Sequence, residues 1–239
     1  MPLYFPLPIF APSVFVRDPL QSKGCSCQKM TLEVRFCSHR IFFPPTPFTS
    51  PSMPLVLRSK VVVVGDATVG KTALVQMAVS GGVTFPKNYV MTMGCDFCVK
   101  DIAVDRGTSV ELSIFDISGQ DLYRHNIASY LEQVNAFIVV YDITVKTSFE
   151  AANKWVTLIR KIPGNENALG ILVANKVDLR DKAEVQDVQG EVYARNHKML
   201  FFQASALRGV GAAEPLLHIA KDTAERYAER VRSLTQLSA

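Results

Sequence analysis

The chain contains 239 residues, of which 48% are hydrophobic and 20% charged. This composition is typical of a folded domain with some additional sequence, and it excludes a chain that is disordered throughout. No apolar stretch reaches the roughly 18 residues that a membrane-spanning helix needs. The formal net charge is +4, but residues 1–52 carry five basic and two acidic side chains, a net +3. The rest of the chain is therefore nearly neutral, and we expect no nucleic-acid partner.

Residues 1–52 differ in kind from the rest of the chain. They hold nine of the 13 prolines and three of the five cysteines, and proline at this density disfavours helices and central strands. No basic residue precedes the apolar start, and prolines interrupt it, so a secretory signal is not indicated. We expect this segment to be either a disordered extension or the result of an upstream start, with residues 53–239 forming the folded domain.

The five cysteines follow neither a zinc-binding spacing nor a disulfide framework. This predicts free thiols in a reducing compartment, and hence a cytoplasmic location.

From about residue 57 onwards, strand-like and helix-like patterns alternate. We predict strands over 60–64, 101–104, 110–115, 136–141, 170–174 and 200–203, and helices over 71–80, 148–161, 185–196 and about 213–231. Strands separated by helices favour parallel pairing, while the turn at 105–107 predicts a hairpin. The fold class is therefore α/β, with a mixed, mostly parallel six-stranded sheet that carries helices on both faces.

A glycine-rich loop lies between the first predicted strand and the first predicted helix. It matches G-x-x-x-x-G-K-S/T, the phosphate-binding P-loop, in the context that this motif requires. Its backbone N–H groups would surround phosphate oxygens at a helix N-terminus, Lys71 would bridge the terminal phosphates, and Thr72 would ligate Mg²⁺. The loop consists of Gly65, Asp66, Ala67, Thr68, Val69, Gly70, Lys71 and Thr72. By itself the loop does not distinguish ATP from GTP as the ligand.

A second set of predicted nucleotide-binding residues, Asn175, Lys176 and Asp178, lies in the sequence Asn175-Lys176-Val177-Asp178 after a predicted buried strand. The choice of base depends on Asp178. A carboxylate there can accept hydrogen bonds from the N1–H and 2-amino groups of guanine, which adenine does not offer. The sequence therefore predicts a guanine nucleotide, GTP or GDP. The next predicted strand is followed by three residues that we expect to support the base through a backbone N–H. They are Ser205, Ala206 and Leu207.

Two further segments complete the predicted site. Asp116 and Gly119 form D-x-x-G after the strand predicted at 110–115; Asp116 would hold the metal through water, and the Gly119 N–H would meet a γ-phosphate. Thr92 follows Thr72 by 20 residues in a segment without a clear period, which we expect to order when a γ-phosphate is present. The predicted magnesium-binding residues are thus Thr72, Thr92 and Asp116.

Together these residues resemble the five guanine-nucleotide motifs of the Ras superfamily, in order and at matching spacing, over about residues 57–231. The resemblance implies a P-loop small GTPase fold for residues 53–239. It further implies that Phe85 flanks the guanine, that Tyr89 covers the phosphates and that Thr92 senses γ-phosphate and Mg²⁺. Gln120 would orient the attacking water and would act in catalysis together with Lys71.

Within the superfamily, residues 138–144 (IVVYDIT) look like the Rab branch. Residues 85–93 (FPKNYVMTM) more narrowly resemble the Rab-like GTPases of intraflagellar transport complex B. This resemblance implies a small β-sandwich subunit and complex B as partners, and a location at the cilium or flagellum. The final residues carry no cysteine for a prenyl group, so we expect no lipid anchor.

Two departures from the family pattern affect the expected activity. Thr68 stands where the P-loop has a small glycine, and Leu207 replaces the lysine that covers the base. Residues 85–92 contain no arginine, so intrinsic hydrolysis should be slow and the bound state should persist until a partner acts, either a GTPase-activating protein or an exchange factor. Three functions remain open: a cycling switch in intraflagellar transport, a nucleotide-filled structural subunit, and a vesicle-trafficking Rab-like GTPase.

Overall fold

The computed structural model describes residues 55–83, 85–86, 88, 90–120 and 127–237. The segment 1–52 and Tyr89 lie outside the described residues. Two short 3-10 helices span Ala128–Leu131 and Val177–Lys182. The strands and α-helices follow in chain order as β1 (Leu55–Val64), α1 (Lys71–Val79), β2 (Cys95–Ala103), β3 (Thr108–Ile117), β4 (Ala136–Asp142), α2 (Lys146–Lys161), β5 (Leu169–Asn175), α3 (Asp187–Asn196), β6 (Met199–Gln203) and α4 (Glu214–Leu237).

The six strands form one sheet in the order β2-β3-β1-β4-β5-β6. β2 and β3 are antiparallel, and the other neighbouring strands are parallel. This confirms the predicted mixed, mostly parallel sheet. β1 begins earlier than predicted, because Leu55–Ser59 pair with the start of β3 although Leu55–Arg58 are largely exposed and the buried Ser59 is polar. An apolar run therefore identifies only the buried half of this strand.

Helices cover both faces of the sheet, as the sequence predicts. Alternate side chains of a strand point to opposite faces, and β1 illustrates this clearly. Val61 and Val63 pack with residues of α1 and α4, while Val62 and Val64 pack with residues of α2 and α3. All four valines are fully buried, so β1 joins two hydrophobic cores across the sheet.

Parallel pairing brings the carboxyl ends of five strands to one edge of the sheet. Ligands of open α/β sheets bind at this edge, where loops leave the strands. The P-loop leaves β1 here, and Asp142, Asn175 and Gln203 end β4, β5 and β6. Among the described residues, no helix has the length and apolar character needed to cross a membrane.

Candidate functional site

The P-loop encloses the ammonium group of Lys71. This residue opens α1, is buried, and donates hydrogen bonds to the carbonyls of Gly65 (3.1 Å) and Asp66 (2.7 Å). An ammonium has three N–H donors, so the partners described here leave one for an oxygen in the adjoining cleft. Burial lowers the pKa of Lys71, against the opposing charges of Asp116 and Asp66. The loop therefore holds a positive charge ready for an anion.

Two features of the loop were not foreseen from its sequence. The Ala67 N–H donates to the Asp66 carboxylate at 2.8 Å, so this amide already has a partner within the loop. Thr68 has φ 63°, in the left-handed region that glycine adopts at little cost and threonine does not. Threonine in place of the usual glycine at position 68 therefore adds backbone strain as well as a larger side chain.

The three predicted magnesium-binding residues come together from three separate segments. The Thr72 hydroxyl, on α1, donates to the carboxylate of Asp116, on β3. The hydroxyls of Thr72 and Thr92 share a hydrogen bond of 2.9 Å. Thr92 and Asp116, which follow Thr72 by 20 and 44 residues, thus meet it at one point. This places hard oxygen ligands around a common position.

Asp116 is the charged member of this group. One of its oxygens is bonded to Thr72, whereas the other, Oδ1, is buried and has no hydrogen-bond partner among the described residues. Burial raises the pKa of Asp116 to about 6, although Thr72 and Lys71 act in the opposite direction. A buried carboxylate oxygen without a partner is costly unless a cation or a donor satisfies it. The residues present therefore fit a magnesium ion.

A cleft of about 410 Å³ opens beside this group. Lys71, Thr92, Phe85 and Gln120 all line it, so both predicted catalytic residues face one space. Gln120 donates from its amide to the sulfur of Met91 at 2.9 Å. The glutamine side chain is thus held by the segment that contains Thr92.

Gly119 brings the segment after β3 against the P-loop. A Cβ atom at this position would overlap the backbone of Asp66 and Ala67, so only glycine permits the approach. The predicted contact between the Gly119 N–H and a γ-phosphate requires this proximity of the two loops.

On the other side of the P-loop, Asn175 connects three segments. Its amide donates to the carbonyl of Val69 at 2.8 Å, and its carbonyl accepts the N–H of Ala206 at 3.2 Å. Gly70 also lies against it, since a Cβ there would come within 2.6 Å of the Asn175 nitrogen. Asn175 therefore ties the P-loop to the loop after β6.

The predicted base-recognition residues lie next to this connection. Asp178 sits in the 3-10 helix Val177–Lys182, and its Oδ1 accepts the hydroxyl of buried Ser205. The backbone N–H of Arg208 donates to the same hydroxyl at 3.2 Å. Leu207 is exposed. Ser205 thus orients one oxygen of the Asp178 carboxylate and leaves the other to meet a ligand.

Lys176, predicted as a nucleotide-binding residue, also makes two contacts that its motif did not predict. Its ammonium donates to the carbonyl of Thr68 at 3.0 Å and pairs with Asp142 at 2.6 Å. Asp142 was missed altogether. Its position at the carboxyl end of a buried strand, beside the strand that ends in Asn175, was the available signal.

Comparison with known proteins agrees with this geometry. Residues 60–225 match the Ras family. The chain therefore belongs to the Ras family of small GTPases, a family that binds guanine nucleotide and typically Mg²⁺.

The chain is also similar to individual members of this family. Intraflagellar transport protein 27 homolog of Trypanosoma brucei brucei is 51% identical over 181 residues, which cover 76% of this chain and 98% of the relative. The mouse (Mus musculus) homolog of the same name is 37% identical over 176 residues, 73% of this chain and 95% of the relative. Human (Homo sapiens) Ras-related protein Rab-30 is 35% identical over 147 residues, 62% of this chain and 70% of that protein.

Proposed function

We propose that this protein is a guanine-nucleotide-binding, slowly GTP-hydrolysing switch that acts as a Rab-like subunit of the intraflagellar transport machinery. The observation that carries the biochemical part is the convergence of Thr72, Thr92 and Asp116 around a buried, unpartnered carboxylate oxygen. The phosphate loop and its lysine border the same cleft. A triphosphate with its metal ion accounts for both features together.

Selection of guanine is assigned to Asp178. Its carboxylate would accept the N1–H and 2-amino groups of the base, and the Ser205 hydroxyl donates to its Oδ1. Adenine would leave this carboxylate without partners, which gives discrimination by several kcal/mol. Leu207 would cover the base with an apolar side chain, and Phe85 would flank it.

Residues of the chain would bind and position the phosphates during hydrolysis. Thr72, Thr92 and Asp116 would hold Mg²⁺, which when bound neutralises charge on the phosphate oxygens. Lys71 would add its positive charge, and Gln120 would orient the attacking water.

Two features support a slow reaction. Residues 85–92 contain no arginine, and the Gln120 amide is engaged by Met91. Ras-type sites without a supplied arginine turn over at about 10⁻⁴–10⁻³ s⁻¹. A GTPase-activating protein and an exchange factor would then set the timing of the cycle.

The transport role comes from the relatives. Two proteins named intraflagellar transport protein 27 homolog each align over more than nine-tenths of their own length. We therefore infer complex B and a small β-sandwich subunit as partners, and the cytoplasm and the cilium or flagellum as the location. Exposed apolar side chains support partner binding near the nucleotide. Val90 and Met91 line the cleft, and Met93, Phe97 and Val99 follow them along the chain and are also exposed.

The second candidate is a structural subunit that retains its nucleotide without cycling. It is favoured by the bonds that Asn175 and Lys176 make to the P-loop, because a loop braced in this way releases a ligand slowly. In that case the nucleotide would stabilise the fold by mass action. A vesicle-trafficking role is the third candidate, and the similarity to Rab-30 favours it.

The test is to identify the nucleotide that accompanies the purified full chain and to follow single-turnover GTP hydrolysis. Gln120→Leu is compared with Gln236→Leu, a matched change at an exposed position near the end of α4. A cycling switch predicts bound guanine nucleotide and slow hydrolysis that Gln120→Leu reduces at least about tenfold and Gln236→Leu leaves unchanged. GTP that persists for days in all three proteins would favour the structural subunit.

A further inference from the structure

Asp142 is a buried carboxylate at the carboxyl end of β4, outside the predicted nucleotide contacts. Only 3% of the residue is exposed. Its Oδ1 accepts the backbone N–H of Thr144 at 2.9 Å and the Thr144 hydroxyl at 2.7 Å, while Oδ2 pairs with the Lys176 ammonium at 2.6 Å. A buried charge must be paired to be tolerated, and both oxygens of Asp142 are satisfied.

The same ammonium continues the connection to the P-loop. Lys176 donates to the carbonyl of Thr68 at 3.0 Å. Thr68 and Lys176 have φ 63° and 65°, so two residues with side chains adopt the left-handed conformation at the two ends of one hydrogen bond. Such conformations persist only where the surrounding structure imposes them. Asp142 supplies the fixed point in the sheet from which the connection starts.

We propose that Asp142 is a positioning residue for nucleotide retention, which holds the P-loop at Thr68 through Lys176. The inference rests on the proposed guanine-nucleotide function of the site. Without Asp142, the Lys176 ammonium loses its charged partner and Thr68 loses a fixed donor. The P-loop then opens more often, and the nucleotide leaves faster.

Asp142→Asn separates this role from a role in folding. An asparagine carbonyl can still accept both hydrogen bonds from Thr144, but its NH₂ group faces an ammonium that also can only donate. The variant therefore keeps the turn and breaks the link to Lys176. We expect GDP release from the full chain to become about tenfold faster, which corresponds to about 1.4 kcal/mol.

Thr144→Val is the matched control. It removes the hydroxyl that donates to Asp142 and leaves the pair with Lys176 intact. We expect it to lower the melting temperature without accelerating GDP release. Faster release in Thr144→Val than in Asp142→Asn would show that local stability, rather than the link to Lys176, controls release, and this would overturn the proposal.

The wild-type chain separates failure of this inference from failure of the proposed function. If the wild type retains no guanine nucleotide, the proposed function is wrong and the inference falls with it. If the wild type retains GDP and Asp142→Asn releases it at the wild-type rate, the inference alone is wrong.

A second pair of variants keeps the proposal testable if Asp142→Asn does not fold. Lys176→Met removes the link from its more exposed end, and amide hydrogen exchange in the GDP-bound protein reports on the loop directly. In Lys176→Met we expect faster exchange at the amides of Thr68 and Val69 than in the wild type. When Thr68→Gly is added to Lys176→Met, we expect a smaller increase, since glycine adopts this φ without strain. Unchanged exchange at both amides in Lys176→Met would overturn the proposal.

Discussion

At the scale of single residues, the two oxygens of Asp116 differ in their surroundings. One is bonded to Thr72, and the other is buried without a partner among the described residues. An asparagine could keep the bond to Thr72 through its carbonyl, but it would present an NH₂ donor where the bare oxygen now lies. Such a donor repels a cation, so this single substitution tests whether the position binds a metal.

We expect Asp116→Asn to lower the affinity for Mg²⁺ about 10–100-fold, the usual cost of disturbing a ligand that acts through metal-bound water. The measurement is the rate of GDP release as a function of free Mg²⁺ concentration. Asp101→Asn, at an exposed position on β2, is the control and should leave the Mg²⁺ midpoint unchanged. Equal midpoints in Asp116→Asn and the wild type would argue against a magnesium ion at this position.

Individual site residues were predictable where a motif is contiguous. The P-loop, Asp116, Asp178 and Thr92 could be singled out because their chemistry depends on residue type and local spacing. The bonds from Asn175 and Lys176 to the P-loop span 106 and 108 residues, and no local pattern encodes them. Contacts of this kind depend on the register of the whole sheet.

At the scale of elements, Asn165 joins the end of α2 to the 3-10 helix Ala128–Leu131. It is fully buried, and its amide donates to the carbonyls of Leu131 at 2.6 Å and Ile159 at 3.2 Å. Its carbonyl accepts the N–H of Val134 at 2.9 Å. One side chain thus bonds three backbone groups at or near the ends of these elements, although the Ile159 carbonyl also accepts the N–H of Ile162 at 3.2 Å.

We expect Asn165→Ala to lower the free energy of unfolding by about 2–4 kcal/mol, since it leaves buried backbone groups unpaired. Urea denaturation at a fixed, saturating concentration of GDP measures this, because bound ligand contributes to apparent stability. A loss below about 0.5 kcal/mol, the range of ordinary surface substitutions, would contradict the assigned role.

The packing of α3 against β6 depends on Gly190. A Cβ atom there would lie 2.5 Å from the ring of Phe201 and 2.6 Å from the hydroxyl of Tyr141. We expect Gly190→Ala to destabilise the fold by about 1–2 kcal/mol, because overpacking outweighs the helix preference of alanine. Gly107→Ala is the control, since its Cβ would meet only Asp105 Oδ1 at 3.9 Å. Equal urea midpoints for the two variants would contradict this explanation.

The sequence predicted the strands and α-helices by their periodicity but not all of their bounds. Strands β4 and β5 are uninterrupted buried runs, and each differs from its prediction by only one or two residues. β2 begins at Cys95, six residues before its predicted start; Cys95–Lys100 pair with β3 although Phe97 and Val99 are exposed, so this edge lacks a regular buried face. The 3-10 helices were missed, since segments this short carry no helical period.

At the scale of the whole molecule, the sheet brings the functional segments to one edge. The P-loop follows β1, Asp116 lies near the end of β3, and Asp178 and Ser205 follow β5 and β6. The two faces are filled by separate hydrophobic cores, so this edge can hold a polar site without disturbing either core. The central claim is that this edge binds a guanine nucleotide through Asp178.

Equilibrium competition between GDP, GTP and ATP for the nucleotide-depleted full chain tests that claim most directly. We predict that GDP and GTP bind at least about 100-fold more tightly than ATP, and that Asp178→Ala loses most of this preference, because two charge-assisted hydrogen bonds are removed. Asp181→Ala, at an exposed position in the same 3-10 helix, should retain it. Equal affinity of the wild type for GTP and ATP, or an unchanged preference in Asp178→Ala, would contradict the account.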